Sequence, residues 1–150
     1  MQIRDVCAQD REVYLSMAHD FYHSSAVSHP IPDVHLTRTF DAALEKSPFL
    51  RVLLLESEGK TAGFAHISFT WSAEAGGMVV LLEDLLVLPE FRSQRLGSTF
   101  FEWVFREYGA EACRYRLEVS RSNVRAKALY ERLGFSEIDY LQMLLETPKK

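Results

Sequence analysis

The sequence predicts one α/β domain in which a mixed, mostly antiparallel sheet carries helices on both faces. Three observations favour this fold class. The chain has 150 residues and 47% hydrophobic content, which is enough for one full core. Along the chain, segments with the apolar pattern of strands alternate with segments whose apolar residues recur at helical spacing. No repeat, low-complexity tract or Pro/Gly-rich linker interrupts them, so residues 1–150 are predicted to form a single domain.

The first third of the chain predicts one short strand and two helices. The strand lies near Gln2–Arg4, and a helix begins at Gln9-Asp10 with an apolar stripe made of Val13, Met17 and Phe21. Residues 24–32 form a loop, because Pro30 and Pro32 prevent a helix from continuing there. Asp33 is expected to cap a second helix that ends near Ser47-Pro48 and whose apolar positions are Leu36, Phe40, Ala43 and Leu44.

Three long strands are predicted next, at Leu50–Glu56, Thr61–Trp71 and Met78–Leu88. Turns at 58–60 and 72–77 join them. Alternate side chains of a strand point to opposite faces. In the second strand one face therefore carries Ala65, Ile67, Phe69 and Trp71, and the other carries Phe64, His66, Ser68 and Thr70.

The last part of the chain predicts a helix, a strand, a helix and one or two further strands. The first helix has an apolar stripe and ends at Gly109; the stripe comprises Gly97, Phe100, Phe101, Val104, Phe105 and Tyr108. Cys113–Val119 is the strand. The second helix ends at Gly134 and carries Ala126, Leu129, Tyr130 and Leu133 at helical spacing. Phe135–Glu146 is predicted to supply the final strands, so the order is β-α-α-β-β-β-α-β-α-β.

Composition excludes several classes of protein. The net charge of −4 gives no basic face for nucleic acid. The two cysteines, Cys7 and Cys113, are too few for a disulfide framework, and the five histidines show no ligand spacing backed by cysteines or paired acids, so no metal is expected.

No stretch has the roughly 20 apolar residues of a membrane span, nor the pattern of a signal peptide. The expectation is a soluble cytoplasmic protein that does not bind a membrane.

A polar segment stands between the third long strand and the helix that follows. Backbone N–H groups and the helix dipole at such a turn favour phosphates. A Walker-type loop would need Gly-Lys-Ser/Thr, and a dinucleotide-binding turn would need three glycines; neither is present. The pattern predicts a diphosphate site, against the alternative of an ordinary loop with solvated arginines. Its residues are Arg92, Ser93, Gln94, Arg95, Leu96, Gly97 and Ser98.

A second segment, Val119–Asn123, again joins a strand to a helix. That helix carries Tyr130 and stops at Gly134-Phe135. By spacing alone a tyrosine on the apolar stripe is more often a packing residue than a catalytic one. Asn123 is placed to cap the helix. A phosphate-binding turn and a tyrosine on a neighbouring strand–helix unit together indicate a cofactor with a reactive end.

With these two segments the chain resembles the GNAT N-acetyltransferases. The first motif of that family is Arg/Gln-x-x-Gly-x-Gly/Ala, which follows a strand that ends in Val-x-Pro. This chain has Val87-Leu88-Pro89 and then Arg92-x-x-Arg95-x-Gly97, which match the motif except at Arg95, where glycine is usual. The second motif, Asn-x₆-Tyr followed by a Gly-Phe stop, is present in full as Asn123, Tyr130, Gly134 and Phe135. The resemblance runs from about residue 50 to 135, and the stretch around 63–87 is most similar to the spermidine/spermine branch and its thialysine-type relatives.

Glu83 and Asp84 stand together inside an apolar strand. A buried carboxylate without a partner is costly, so both acids are expected to have a purpose. Because adjacent strand positions face opposite ways, we expect the two side chains to serve different purposes. Each has a structural ion pair as its alternative role. The resemblance implies that Glu83 is the general base and leaves Asp84 to bind the acceptor amine.

The resemblance implies further roles. Acetyl-CoA would be the co-substrate, Tyr130 would protonate the departing thiolate, and Asn123 would contact the pantetheine or phosphate arm. Strand N–H groups around Leu85 and Val87 would hold the oxygen of the tetrahedral intermediate. The loop between the first two helices edges the acceptor pocket in this family, which points to His29 and Asp33; a solvated loop is the alternative.

The expected activity is N-acetylation of a primary amine on a small polyamine-like or amino-acid-like molecule, by a homodimer as in related enzymes. The apolar segment Tyr140–Leu145 is the expected partner surface. Two alternatives remain open at this point: acetylation of a protein or peptide amine, and a non-catalytic acyl-CoA-binding module. His66 is expected to be a satisfied core histidine, with lining of the acceptor site as its alternative.

Overall fold

A computed structural model describes residues 1–24, 27 and 30–147 of the chain. The chain divides into two compact units, Met1–Glu118 and the segment from Val119 onward. Each unit is described in turn. In the part of the chain that the structure describes, no helix has the length and hydrophobicity needed to cross a bilayer.

The first unit is built on one five-stranded sheet whose spatial order follows the chain. Its strands are β1 (Gln2–Asp5), β2 (Leu50–Ser57), β3 (Lys60–Ser72), β4 (Gly77–Val87) and β5 (Ala112–Leu117). Neighbouring strands from β1 to β4 are antiparallel, and β5 is parallel to β4. The prediction of a mixed, mostly antiparallel sheet is confirmed.

Three helices belong to this unit: α1 (Arg11–Tyr22), α2 (Asp33–Leu44) and α3 (Leu96–Tyr108). One-turn 3₁₀ segments at Ala8–Asp10 and Pro89–Phe91 precede α1 and α3. These bounds agree with the predicted elements to within a few residues. Asp33, expected as a cap, is instead the first residue of α2, after Pro32.

Helices α1 and α2 pack on one face of the sheet. Tyr14 of α1 is fully buried, and its ring stacks on Phe40 of α2 at a centroid distance of 5.2 Å and meets Phe64 of β3 edge-on at 5.6 Å. The predicted stripe of α1 was therefore wrong at its first position: Val13 is 38% exposed, and Tyr14 takes its place in the core. An aromatic ring on the next helical position fills the space between helix and sheet that Val13 cannot reach.

Helix α3 packs on the opposite face. Tyr108 at its end lies 5.3 Å from the ring of Phe69 of β3. The guanidinium of Arg51 on β2 donates to the Tyr108 hydroxyl at 2.7 Å and to Glu107 at 2.9 Å, and lies over the ring of Trp103 at 5.5 Å. The predicted placement of helices on both faces of the sheet is confirmed.

An irregularity in β4 determines the shape of the site. Leu82 pairs with Ile67 and Asp84 pairs with His66, so Glu83 is an extra residue with no partner on β3. This is a β-bulge, which bends a strand and increases its twist. The parallel pairing of β4 with β5 ends at Leu82, opposite Leu117. Beyond that point β4 continues to Val87 while β5 stops, so the two strands part at the bulge.

The second unit contains the helix α4 (Val124–Arg132). The Asn123 side-chain oxygen accepts a hydrogen bond from the Ala126 N–H at 3.1 Å, which satisfies one of the unpaired N–H groups of the first turn. Gly134 follows with φ of +91°, a conformation that favours glycine, and ends the helix as predicted.

The strands predicted in Phe135–Glu146 are absent: residues 135–147 form neither helix nor strand. A strand exists only through hydrogen bonds to a neighbour, and an apolar pattern does not supply that neighbour. The large apolar side chains of this segment are exposed, from 58% to 91%; they are Ile138, Tyr140, Leu141, Met143, Leu144 and Leu145.

Candidate active site

In the first unit β4 continues beyond the end of β5, and the open edge of β4 at this point is the cleft of the site. On β4, the segment 83–87 pairs with β3 along one edge, and β5 no longer follows its other edge. Backbone N–H and C=O groups at such an edge are strong hydrogen-bonding groups that must find partners. The predicted oxyanion residues, Leu85 and Val87, lie in this segment. The cleft can therefore hold an extended, amide-bearing ligand by β-type hydrogen bonds.

Glu83 and Asp84 both lie at the start of this cleft. The expectation that they point to opposite faces was wrong, because the bulge inserts Glu83 and breaks the alternation. Ser68 of β3 donates its hydroxyl to Glu83 at 2.6 Å, and His66, two residues earlier on the same face of β3, contacts Asp84 at 2.8 Å. The structure brings two carboxylates together beside one row of polar β3 side chains.

Asp84 is the inner member of the pair. Its Oδ2 atom lies 2.8 Å from Nδ1 of His66 and accepts a short hydrogen bond from the hydroxyl of Tyr22 at the end of α1. The Nε2 atom of His66 lies 2.9 Å from the Tyr14 hydroxyl. A carboxylate can only accept, so Nδ1 carries the proton and Nε2 accepts from Tyr14. Every polar atom of the His66 ring is thus satisfied, in agreement with the core role expected for it.

The tyrosines of this network are held as hydrogen-bond donors. Burial, reinforced by the negative charge of Asp84, raises the pKa of both Tyr14 and Tyr22 above the ordinary tyrosine value. The Asp84 side chain keeps 15% exposure and Glu83 is exposed, so both carboxylates have solvent-accessible surface.

The polar turn predicted to bind phosphates follows directly from the end of β4. Nε of Arg92 donates to the Val87 carbonyl at 3.0 Å, which fixes the turn to the strand, and Gln94 donates to the Glu90 carbonyl at 3.1 Å. Helix α3 then begins at Leu96, so its first turn includes Gly97 and Ser98. The N–H groups of a first helical turn lack partners within the helix and favour anions.

Arg95 adopts a left-handed backbone conformation, with φ of +63°. A side chain in this region costs roughly 1–2 kcal/mol, whereas glycine adopts it freely. This gives a physical reason for the glycine that the GNAT motif has at this position. Ser93 also has φ of +63°, so two left-handed residues shape the turn before α3.

The remaining predicted residues of the cofactor motif lie in the second unit. Asn123 caps α4, which confirms the structural role considered for it and leaves its amide nitrogen available. The ring of Tyr130 meets Phe135 edge-on at a centroid distance of 6.1 Å. Burial raises the pKa of the Tyr130 hydroxyl, which keeps it protonated at neutral pH, as a proton donor must be.

The two residues predicted on the acceptor loop have different outcomes. His29 lies outside the described residues. Asp33 is exposed, and its Oδ1 atom lies 2.9 Å from Nδ1 of His19. His19, His23 and Asp33 form a cluster that the sequence analysis missed. Its only signal in the sequence is the spacing of His19 and His23, which puts them one helical turn apart.

Comparison with known proteins agrees with this geometry. Residues 14–135 match the family model described as Acetyltransferase (GNAT) family. The chain belongs to the GNAT acetyltransferase family. The match covers the cleft, the polar turn and the segment from Asn123 to Phe135, and it identifies the protein as an acetyl-CoA-dependent acyltransferase.

Two curated GNAT relatives come from Bacillus subtilis (strain 168). One is the uncharacterized N-acetyltransferase YhfO, 26% identical over 102 residues that make up 66% of this chain and 68% of the relative. The other is named a putative [ribosomal protein bS18]-alanine N-acetyltransferase, 30% identical over 97 residues, or 64% of this chain and 60% of the relative. The chain thus matches only about two thirds of each relative's length.

Solved structures agree on the GNAT fold. A possible acetyltransferase from Clostridium difficile 630 superimposes with a TM-score of 0.83 at 19% identity, covering 99% of this chain and 98% of that one. The aminoglycoside acetyltransferase AAC(6')-Iy, solved with a bisubstrate analogue that contains CoA, gives a TM-score of 0.78 at 19% identity, covering 98% of both chains. At these identities the likeness is one of fold.

The two carboxylates of this GNAT protein should differ in their effect on stability. Replacing Asp84 with Ala leaves the Tyr22 hydroxyl and the His66 N–H without their acceptor, which should lower the free energy of unfolding by about 2–4 kcal/mol. Replacing the exposed Glu83 with Ala should cost no more than about 1 kcal/mol. Urea unfolding of the two variants measures the difference. Equal losses would show that the buried network does not depend on Asp84.

Proposed function

We propose that this GNAT acetyltransferase moves the acetyl group of acetyl-CoA to the primary amine of a small molecule, either polyamine-like or amino-acid-like. The observation that carries the proposal is the pair of accessible carboxylates, Glu83 and Asp84, at the point where β4 and β5 part. A cationic amine is attracted to two adjacent negative charges in a cleft. The resemblance to the polyamine branch supports the same class of acceptor.

Acetyl-CoA is proposed to bind along the open edge of β4 and the turn that follows it. The N–H groups of Leu85 and Val87 would bind the pantetheine arm and the thioester oxygen. The diphosphate would lie against the first turn of α3, where N–H groups and two arginines favour anions. The proposed contacts are Arg92, Ser93, Gln94, Arg95, Leu96, Gly97 and Ser98, with Asn123 from the second motif.

The reaction needs a neutral amine, and an alkylammonium group has a pKa near 10. In the proposed mechanism Glu83, held by the Ser68 hydroxyl, accepts one proton from the ammonium group. Asp84, held by Tyr22 and His66, binds the amine or a second cationic group of the acceptor. The amine nitrogen then forms a bond to the acetyl carbon, the carbon–sulfur bond breaks, and Tyr130 gives its proton to the departing thiolate. The second proton lost by the nitrogen restores the Tyr130 hydroxyl, and the proton held by Glu83 passes to solvent.

A protein or peptide amine is the second candidate acceptor. The relative named a bS18-alanine N-acetyltransferase is 30% identical over 97 residues, which favours keeping this candidate. The chain belongs to the GNAT acetyltransferase family, so the non-catalytic acyl-CoA-binding module is no longer an alternative. The two remaining classes of acceptor predict different outcomes in one experiment.

The experiment measures release of the CoA thiol from acetyl-CoA in the presence of a panel of amines. The panel contains diamines and polyamines, basic amino acids and peptides with a free N-terminus, and thermal unfolding with acetyl-CoA is recorded in parallel. We expect a rise in the unfolding temperature and turnover with at least one small cationic amine. Turnover with peptides alone would overturn the small-molecule assignment. Binding of acetyl-CoA without turnover on any amine of the panel would overturn both proposed classes of acceptor.

Variants at the two proposed proton-transfer residues should lose turnover but keep acetyl-CoA binding. We expect Glu83→Gln to lower kcat by about 10²–10⁴-fold, and the loss should shrink as pH rises because more of the amine is already neutral. Tyr130→Phe should lower kcat less with donors whose thiol is more acidic. The matched control, Asp84→Asn, should raise KM for the amine more than it lowers kcat. A pH–rate profile that Glu83→Gln leaves unchanged would remove Glu83 as the base.

The protein is further proposed to be a homodimer, as in related enzymes. The support within this chain is the segment Tyr140–Leu145, whose large apolar side chains are at least 73% exposed. A group of exposed apolar side chains of this kind marks an interaction site. Light scattering at micromolar concentration should give twice the mass of 17.3 kDa. A double variant, Leu141→Lys with Leu144→Lys, should shift the mass to that of one chain, and a monomeric wild type would refute the dimer.

A further inference from the structure

Two histidines and one aspartate meet at the junction of α1 and α2. His19 and His23 lie one turn apart near the end of α1, and Asp33 is the first residue of α2. One potential ligand atom from each of the three lies within 4.8 Å of the others. All three residues are exposed. The cluster takes no part in the acetyl-transfer chemistry described above.

Hydrogen bonds orient both imidazole rings. Nδ1 of His23 lies 2.8 Å from the backbone carbonyl of His19, and Nδ1 of His19 lies 2.9 Å from the Asp33 carboxylate. A carbonyl oxygen only accepts, so Nδ1 of His23 donates to it and Nε2 is the ligand atom that this ring offers. Metal-binding histidines characteristically donate their other N–H to a carbonyl in this way. Nδ1 of His19 and the Asp33 carboxylate face each other directly, so an ion bound between them would replace the proton of that hydrogen bond.

We propose that His19, His23 and Asp33 bind one divalent transition-metal ion of the Zn²⁺, Ni²⁺ or Cu²⁺ type. Imidazole nitrogens with a single carboxylate suit these ions, whereas Mg²⁺ and Ca²⁺ prefer oxygen ligands alone. Water would complete the coordination, because the cluster is open to solvent. This inference does not depend on the proposed acyl acceptor.

The rings of His19 and His23 stack at a centroid distance of 4.1 Å, so binding of one ion requires these side chains to rotate out of the stack. Ligand atoms bonded to Zn²⁺ at about 2.0–2.2 Å in a tetrahedral arrangement lie about 3.3 Å from one another. The present limit of 4.8 Å is therefore somewhat wider than a metal would impose. The His19 and Asp33 side chains are 48% and 67% exposed, so rotation about their side-chain bonds meets little obstruction. The backbone of the two helices already brings the three residues together.

Metal binding would restrain the last turn of α1. That turn also carries Tyr22, between His19 and His23 in the chain, and the Tyr22 hydroxyl donates to Asp84. The ion would tie this turn to the start of α2 across the connection between the helices. The proposed site therefore reaches the buried carboxylate network through one helical turn.

The test is thermal unfolding with Zn²⁺ alone, measured against the same protein in EDTA. Cys7 and Cys113 are exposed thiols that bind the same ions, so both are first replaced with Ser. In this background a Zn²⁺ concentration about a hundred times Kd should raise the unfolding temperature by about 5–10 °C. Co²⁺ should give visible absorption bands that report its coordination.

Variants assign the effect to the cluster. His19→Ala with His23→Ala should abolish both the shift and the Co²⁺ spectrum, and Asp33→Asn should weaken the affinity about 10–100-fold. His35→Ala is the matched control, because His35 is another exposed histidine on α2, and it should leave binding unchanged. Unfolding of each variant in EDTA separates lost binding from lost stability. No shift in the cysteine-free protein, or a shift that survives in the double histidine variant, would overturn the proposal.

Discussion

The insertion of Glu83 into β4 is the constraint on which the rest of the site depends. A continuous antiparallel ladder would place Glu83 and Asp84 on opposite faces of the sheet and would keep β4 beside β5. The extra residue changes both features at one point. It brings the two carboxylates to the same row of β3 side chains, and β4 leaves β5 directly beside it. The two carboxylates and the open backbone edge of β4 therefore lie next to each other because of this one bulge.

The buried network behind Asp84 gives the two acids different surroundings. Asp84 is held by two donors from α1 and β3, so it joins the helix layer to the sheet. Glu83 has one hydroxyl partner and stays exposed. The roles proposed for them, Glu83 as base and Asp84 as ligand of the amine, follow this difference in exposure and in hydrogen-bond partners.

The sequence predicted the elements well because their periodicities are strong and local. The long apolar strands, the stripe of α3 and the glycine stop after α4 all depend on residues within one segment. The predictions that were wrong concern features that depend on residues elsewhere in the chain. Nothing local to Glu83-Asp84 announces a bulge, and the apolar residues after Phe135 do not supply a strand to pair with. The meeting of Asp33 with His19 and His23 joins two helices, and only the spacing of the histidines is visible in the chain.

The site itself was predicted more by resemblance than by pattern. The polar turn and the capped helix with its tyrosine indicated a phosphate-bearing cofactor, and the roles of Arg92 to Ser98, Asn123 and Tyr130 came from the resemblance. The family match covers both segments and tests no residue's role. The departure at Arg95 was visible in the sequence, but its left-handed backbone was not. The left-handed backbone at Arg95 gives the physical reason for the glycine that the family motif has there.

The bulge also makes Glu83 the position of β4 at which loss of one residue has a different effect from loss at any other position. Loss of any other residue within the strand would shift the register and exchange the two faces on one side of the loss. Loss of Glu83 would leave Leu82 opposite Ile67 and Asp84 opposite His66, and would straighten the strand. A one-residue deletion at Glu83 would thus preserve the core while removing the bend of β4, so the shape of the cleft depends on the length of the strand as well as on its side chains.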